Sequence, residues 1–267
     1  MNKKIRRAAA VLLALALTVS LVMFIRDRLE RGRGEADYAA AQEIAGLAAV
    51  PDPVRAPETA GEPETLPEPV PEETEAAGLE ALDLAALQAV NPDVAGWIEI
   101  PDTAVSYPLV QGEDNQYYLR RTWMKEDASM GSIFIECTNS RDMNDSHTII
   151  YGHRMRSGTM FADLGKYREL DFWRDHPSVY IALEDGVRRY DIFAAYEAGL
   201  QSLVYRLDLD GREEELIRFG LDSSVIDTGV VPEAGEKLLT LSTCTGNGYS
   251  KRWVVQAVLR EESVPET

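Results

Sequence analysis

Eight short runs rich in β-branched and aromatic side chains recur between Trp97 and Leu259, and this recurrence restricts the chain more than any other feature. The runs are Trp97–Ile100, Val105–Val110, Ser132–Glu136, Thr148–Tyr151, Val179–Leu183, Val187–Ala194, Leu238–Thr243 and Trp253–Leu259. Glu184-Asp185-Gly186, between two of them, is a hairpin signal. Many short strands and few helices predict a closed or nearly closed mixed β-barrel rather than a βαβ sheet. Two helical inserts interrupt the strands. Met160, Phe161, Leu164 and Tyr167 share one face of the first, and Leu216, Ile217 and Leu221 share one face of Glu213–Leu221.

This texture begins near Leu79. There Leu79, Leu82, Ala86 and Leu87 recur at helical spacing, and Asn91-Pro92 ends the helix. The preceding residues are of another kind. Ala8 to Ile25 carry no charge and follow Lys3, Lys4, Arg6 and Arg7, which is about the minimum for a membrane-spanning helix. A cleaved signal peptide is the competing reading, but the run is long for one, and Arg26-Asp27-Arg28 replaces a small-residue cleavage site. Basic residues on both sides of the span leave its orientation open on charge alone. A short Ala-rich stretch, Tyr38 to Val50, is predicted helical. In Pro51 to Glu75, seven prolines and eight acidic residues share 25 positions, a composition that cannot offset its chain entropy and reads as an extended spacer. The organisation predicted is a tail and anchor over residues 1–35, a Pro/Glu-rich spacer over 36–78 and a folded domain over 79–263.

The formal charge is −18, and from Leu79 onward 18 basic side chains stand against 32 acidic ones. That field discounts a nucleic-acid partner. Two cysteines, Cys137 and Cys244, are too few for a disulfide framework, although a single bridge between them is possible. No metal-ligand cluster or phosphate-binding loop appears, so no cofactor is implied.

Cys244 closes an apolar run and opens a Thr-Gly-Asn-Gly loop, where a thiol can serve as an exposed nucleophile. His153 closes Thr148-Ile-Ile-Tyr-Gly-His153, and Arg252 opens the run after the Cys244 loop. Each residue alone is more often structural. Together, at the mouths of barrel strands, a Cys, a His and an Arg can converge on one cleft. His147 and His176 match nothing catalytic.

Thr240-Leu-Ser-Thr-Cys244, with Arg252 eight residues on and Tyr151-Gly-His153 upstream, resembles the signature of the sortase family. Asn91 to Ile98, Tyr107 to Gly112, Asp114 to Leu119, Gly131 to Ile135, Ile149 to His153 and Met160 to Leu164 resemble its class B branch in the same order. The resemblance covers nearly all of Leu79 to Glu262.

It implies an eight-stranded β-barrel with an N-terminal helix, supplied by Leu79–Val90, and a helix between strands six and seven, supplied by Glu213–Leu221. It also implies a cysteine transpeptidase that cleaves a C-terminal sorting motif after Thr and passes the acyl group to an amine of a peptidoglycan precursor or a pilin. Cys244 would be the nucleophile, His153 the acid and base, and Arg252 the stabiliser of the oxyanion. Asn115, Leu119, Tyr151, Ser242 and Thr243 would line the peptide groove. The implied location is the cell membrane, single-pass, with the domain outside. The Thr245–Lys251 loop is shorter than in some class B members, and Cys137 has no role in the pattern. The rival readings are a cysteine peptidase that lets water finish the reaction and a surface-binding module without catalysis. An L,D-transpeptidase is also wall-directed, but its signature is absent around Cys244.

Overall fold

The computed structural model describes residues 3–47, 78–209, 211–245 and 250–263. Among them, eight strands close into a barrel in the order β1-β2-β3-β4-β7-β8-β6-β5. β1 (Val94–Glu99) and β2 (Ser106–Val110) form an antiparallel hairpin, and β3 (Ile133–Ile135) runs parallel to β2. β4 (His147–Tyr151) is antiparallel to β3 and parallel to β7 (Leu238–Cys244). β8 (Lys251–Ser263) lies antiparallel between β7 and β6 (Gly186–Gly199), and β5 (Ser178–Leu183) closes the ring onto β1. The barrel is therefore mixed, as the strand pattern predicts.

The apolar runs are unbroken because several strands are covered on both faces. Along β7, Leu239 and Leu241 enter the main core with Trp97, Phe134, Phe161 and Trp253, while Leu238 faces a second cluster. Along β8, Val255 and Ala257 belong to the first core, Val254 and Val258 to the second. The second cluster is roofed by the β6–β7 connection, with Val204, Leu209, and Leu216 and Ile217 of the helix Glu213–Ser223. Three glutamates in the first turn of that helix complement its positive end.

The N-terminal helical part differs from the sequence expectation in two ways. The helix predicted over Leu79–Val90 is shorter, Leu84–Val90, because the Asp83 carboxylate accepts from the Ala86 N–H at 2.9 Å and caps it there. Leu79 instead sits buried in a separate helical stretch, residues 78–80, just before it. The stretch from Tyr38 continues a much longer helix, Lys3–Ile44, here α1. It ends on Gly46, whose φ of 72° is a left-handed terminus that glycine adopts without a Cβ penalty. Tyr38, Ala41 and Ala45 at its end are buried in the main core of the barrel domain.

Large apolar side chains from Leu12 to Ile25 on α1 are exposed. The uncharged run Ala8 to Ile25 lies wholly within α1 and covers about 27 Å of helix axis, against a bilayer core of about 30 Å. Among the described residues no helix is long and apolar enough to cross a membrane. The predicted spacer, Pro51 to Glu75, lies outside the described residues.

Candidate active site

Two strand ends and one strand start assemble the site. β4 and β7 are parallel neighbours in a register that pairs Tyr151 with Ser242, so the residues just beyond each, His153 and Cys244, leave the sheet at the same end. β8 is antiparallel to β7 with Arg252 opposite Cys244. Residues opposed in this way project from the same face. The topology alone therefore brings the thiol, the imidazole and the guanidinium together.

Close packing fixes the histidine. A Cβ on Gly152 would lie 2.4 Å from Ile133 Cδ1 and 2.6 Å from the Phe161 ring, so only glycine lets the chain turn out of β4 here. The His153 carbonyl accepts from the Phe161 N–H at 2.9 Å, and Gly152 N–H donates to the Ser242 carbonyl at 3.2 Å. On the ring, Nε2 lies 2.7 Å from the Leu119 carbonyl oxygen. A carbonyl only accepts, so Nε2 carries a proton. Beyond Cys244, Arg154 Nη1 donates to the Thr245 carbonyl at 2.5 Å and ties down the start of the loop.

Cys244 and His153 shift one another. Its hydrogen bond with His153, and then the nearby Arg252 charge, hold the Cys244 thiol below its usual range against the opposing effect of burial. The bond to Cys244, with help from the Leu119 carbonyl, holds the His153 imidazole above its usual range, although burial and Arg120 oppose this. Both shifts favour thiolate and imidazolium, the reactive form of a Cys–His pair.

The residues expected to line a groove fall into two groups. Leu119, Ser242 and Thr243 adjoin the pair: Leu119 is 37 % exposed, Ser242 hydrogen-bonds the Tyr205 hydroxyl at 2.9 Å, and the buried Thr243 hydroxyl has no hydrogen-bond partner among the described residues. Asn115 and Tyr151 gather instead on Glu136. Asn115 Nδ2 donates to its carboxylate at 2.6 Å and the Tyr151 hydroxyl at 2.9 Å. Burial pushes the Glu136 carboxyl up, but hydrogen bonds from Asn115, Tyr151 and Cys137 outweigh it and hold the carboxyl below the usual range.

Sequence reasoning missed Glu136 and Tyr205. Glu136 carried a signal, a lone acid closing an apolar strand. Tyr205 lies in the β6–β7 connection, where nothing in the pattern marks it, yet Arg252 and Cys244 both act on its hydroxyl electrostatically. The two cysteines are free thiols. Burial and the adjoining Glu136 push the Cys137 thiol up, the opposite of Cys244, which makes it the poorer nucleophile. His147 is buried between Thr240 and the Arg206 carbonyl, and burial pushes it down to about 4, so it is a neutral structural residue. His176 Nδ1 lies 3.0 Å from the Pro101 carbonyl.

Known proteins resemble this chain in sequence and in fold. The family model described as the sortase domain matches residues 98–260. Sortase B of Listeria monocytogenes is 38 % identical over 185 residues, covering 66 % of this chain and 74 % of that protein. Sortase B of Staphylococcus aureus is 30 % identical over 177 residues, covering 64 % and 72 %. Among solved structures, a Staphylococcus aureus sortase B–substrate complex superposes with a TM-score of 0.64 at 29 % identity, covering 67 % of this chain and 85 % of that one. Sortase B of Bacillus anthracis in complex with AAEK1 gives 0.68 at 27 % identity, covering 88 % and 100 %.

Proposed function

The chain belongs to the sortase family, in its class B branch, and is a transpeptidase; we propose that it works through a thioacyl intermediate on Cys244, with His153 and Arg252 as partners. The observation that carries this reading is the strand register that sets His153 beside Cys244 and Arg252 opposite it, with the thiol shifted down and the imidazole up.

In the first half-reaction the Cys244 thiolate attacks the carbonyl carbon after a threonine of a sorting motif, forming the C–S bond. Negative charge develops on the carbonyl oxygen, and the Arg252 guanidinium, always charged and rich in donors, meets it there. The C–N bond breaks as His153 gives its shared proton to the departing amine. In the second half-reaction His153, now neutral, takes a proton from an incoming amine, which attacks the thioester and releases Cys244. A peptidoglycan cross-bridge precursor or a pilin lysine would supply that amine.

Leu119, Ser242 and Thr243 would contact the peptide beside the thiol, and Asn115 and Tyr151, held by Glu136, would contact it further along. Ser242, which shares its face of β7 with Cys244, supports this assignment, whereas Thr243 opposes the core residue Trp253. Incubation with a panel of sorting peptides, with and without an amine acceptor, tests the reading. Ligated product that accumulates in proportion to acceptor supports it. Hydrolysed peptide alone, at the same rate with or without amine, would make the chain a peptidase.

The same proposal places the barrel outside the cell, tethered by α1. The exposed apolar side chains from Leu12 to Ile25 and the basic residues before them support the tether. Protease added to intact protoplasts should then release the barrel domain as a soluble fragment, and a fully protected domain would refute the placement.

A further inference from the structure

The end of α1 grips the segment between β2 and β3 at several points. Trp123 Nε1 donates to the Asp37 carbonyl at 2.8 Å, and Thr122 Oγ1 donates to the Asp37 carboxylate at 2.8 Å. A Cβ on Gly34 would lie 2.3 Å from Met130 Sδ, so the helix approaches as closely as a glycine permits. The Tyr38 hydroxyl, buried beneath these contacts, donates to the Gly131 carbonyl at 2.6 Å and lies 3.3 Å from Ser132 Oγ. Burial holds that hydroxyl well above its usual range, so it remains a donor at any working pH.

The same segment borders the carbonyl that holds His153. Gly131 has φ 59°, and a Cβ there would lie 2.7 Å from the Leu119 carbonyl oxygen. That oxygen accepts from His153 Nε2. Tyr38 therefore holds Gly131, Gly131 packs against the Leu119 carbonyl as closely as a glycine permits, and that carbonyl holds His153, which the register sets beside Cys244. We propose that the end of α1 is a positioning element for the reacting pair, with Tyr38 holding Gly131, and through it the Leu119 carbonyl, in the place that orients His153. The inference rests on the reading of Cys244 and His153 as that pair.

The physical consequence is definite in sign. The Leu119 carbonyl favours the protonated imidazole, and the protonated imidazole favours the thiolate. If the carbonyl is displaced, both preferences weaken and Cys244 becomes a thiolate only at higher pH. The other charged or titratable groups facing the pair, Arg120 beside His153 and Arg252 and Tyr205 beside Cys244, are untouched by a change at Tyr38.

Tyr38→Phe in the full chain removes the hydroxyl and keeps the ring, which packs edge-on against Tyr107 at 5.2 Å. Alkylation of Cys244 by iodoacetamide, followed by mass across the pH range, reads the thiolate directly. The midpoint is expected to move to higher pH, labelling at pH 7 to slow about threefold or more, and kcat for a sorting peptide to fall with little change in KM. Gly131→Ala, which disturbs the same contact from below, should move the profile in the same direction. Superimposable profiles for parent and Tyr38→Phe would overturn the proposal, whatever the change in Tm, because loss of stability alone leaves the thiolate equilibrium of the folded protein in place. His153→Ala is the discriminating control. If it leaves the profile unchanged, the thiol–imidazole reading itself fails; if it shifts the profile while Tyr38→Phe does not, only the role of α1 falls.

Discussion

Cys244→Ala is expected to leave a folded barrel that transfers no peptide. The residue sits half-buried at the end of β7, where losing one sulfur removes little packing, and the strand register that holds Ser242 and Thr243 does not depend on it. The chemistry does depend on it. Without the thiolate no thioester forms, and turnover should fall by roughly 10,000-fold or more, the scale seen when a nucleophile acting as one unit with its partners is removed. Cys137→Ala is the matched control. Its thiol is shifted the wrong way for a nucleophile and contacts Glu136 rather than the reacting pair, so activity should stay near the parent level. A Cys137→Ala loss as large as that of Cys244→Ala would contradict the assignment.

Arg252→Lys isolates the second role. Lysine keeps the positive charge opposite Cys244 but replaces a planar fork of donors with a compact ammonium on a flexible stem. If Arg252 acts by meeting the oxyanion, acylation should slow by about 100-fold or more, the cost of one oxyanion donor in other enzymes. Peptide binding should change little, since the interaction is made in the transition state. Rapid-quench measurement of the acyl-enzyme separates these quantities. An unchanged acylation rate would remove Arg252 from the mechanism, and a rise in peptide Kd with unchanged acylation would reassign it to substrate binding.

How much of this was legible in the sequence depended on how local each feature is. The strands were visible because β5, β7 and β8 bury both faces and so read as continuous apolar runs bounded by polar turns. The candidate triad was visible because each member marks a strand terminus next to a glycine or a glycine-rich loop, where backbone geometry and function coincide. The Asp83 cap that shortens the helix predicted from Leu79 was also local, and it was outweighed by the apolar spacing of Leu79 and Leu82.

The contacts that could not be read join distant parts of the chain. Glu136 collects Asn115 from 21 residues upstream and Tyr151 from 15 downstream, and no single window contains all three. Tyr205 meets Ser242 across 37 residues. Tyr38 reaches Gly131 across 93. Its stretch of α1, from Gly34 to Ile44, has Tyr38 and Ile44 as its large apolar side chains, too few to form a stripe that announces a docked face. Ala41 and Ala45 bury completely because their small side chains let the helix approach closely, a property that composition counts as weak hydrophobicity.

In the proposed mechanism the acyl group of a sorting peptide rests covalently on Cys244 between the two half-reactions. Mixing the full chain with a sorting peptide in the absence of amine, quenching in acid and mapping the added mass by proteolysis tests it most directly. One thioacyl adduct is expected, on the peptide containing Cys244, which disappears when an acceptor amine is supplied and yields ligated product in equal amount. An adduct on another residue, or turnover to ligated product with no adduct at any time after quenching, would contradict it.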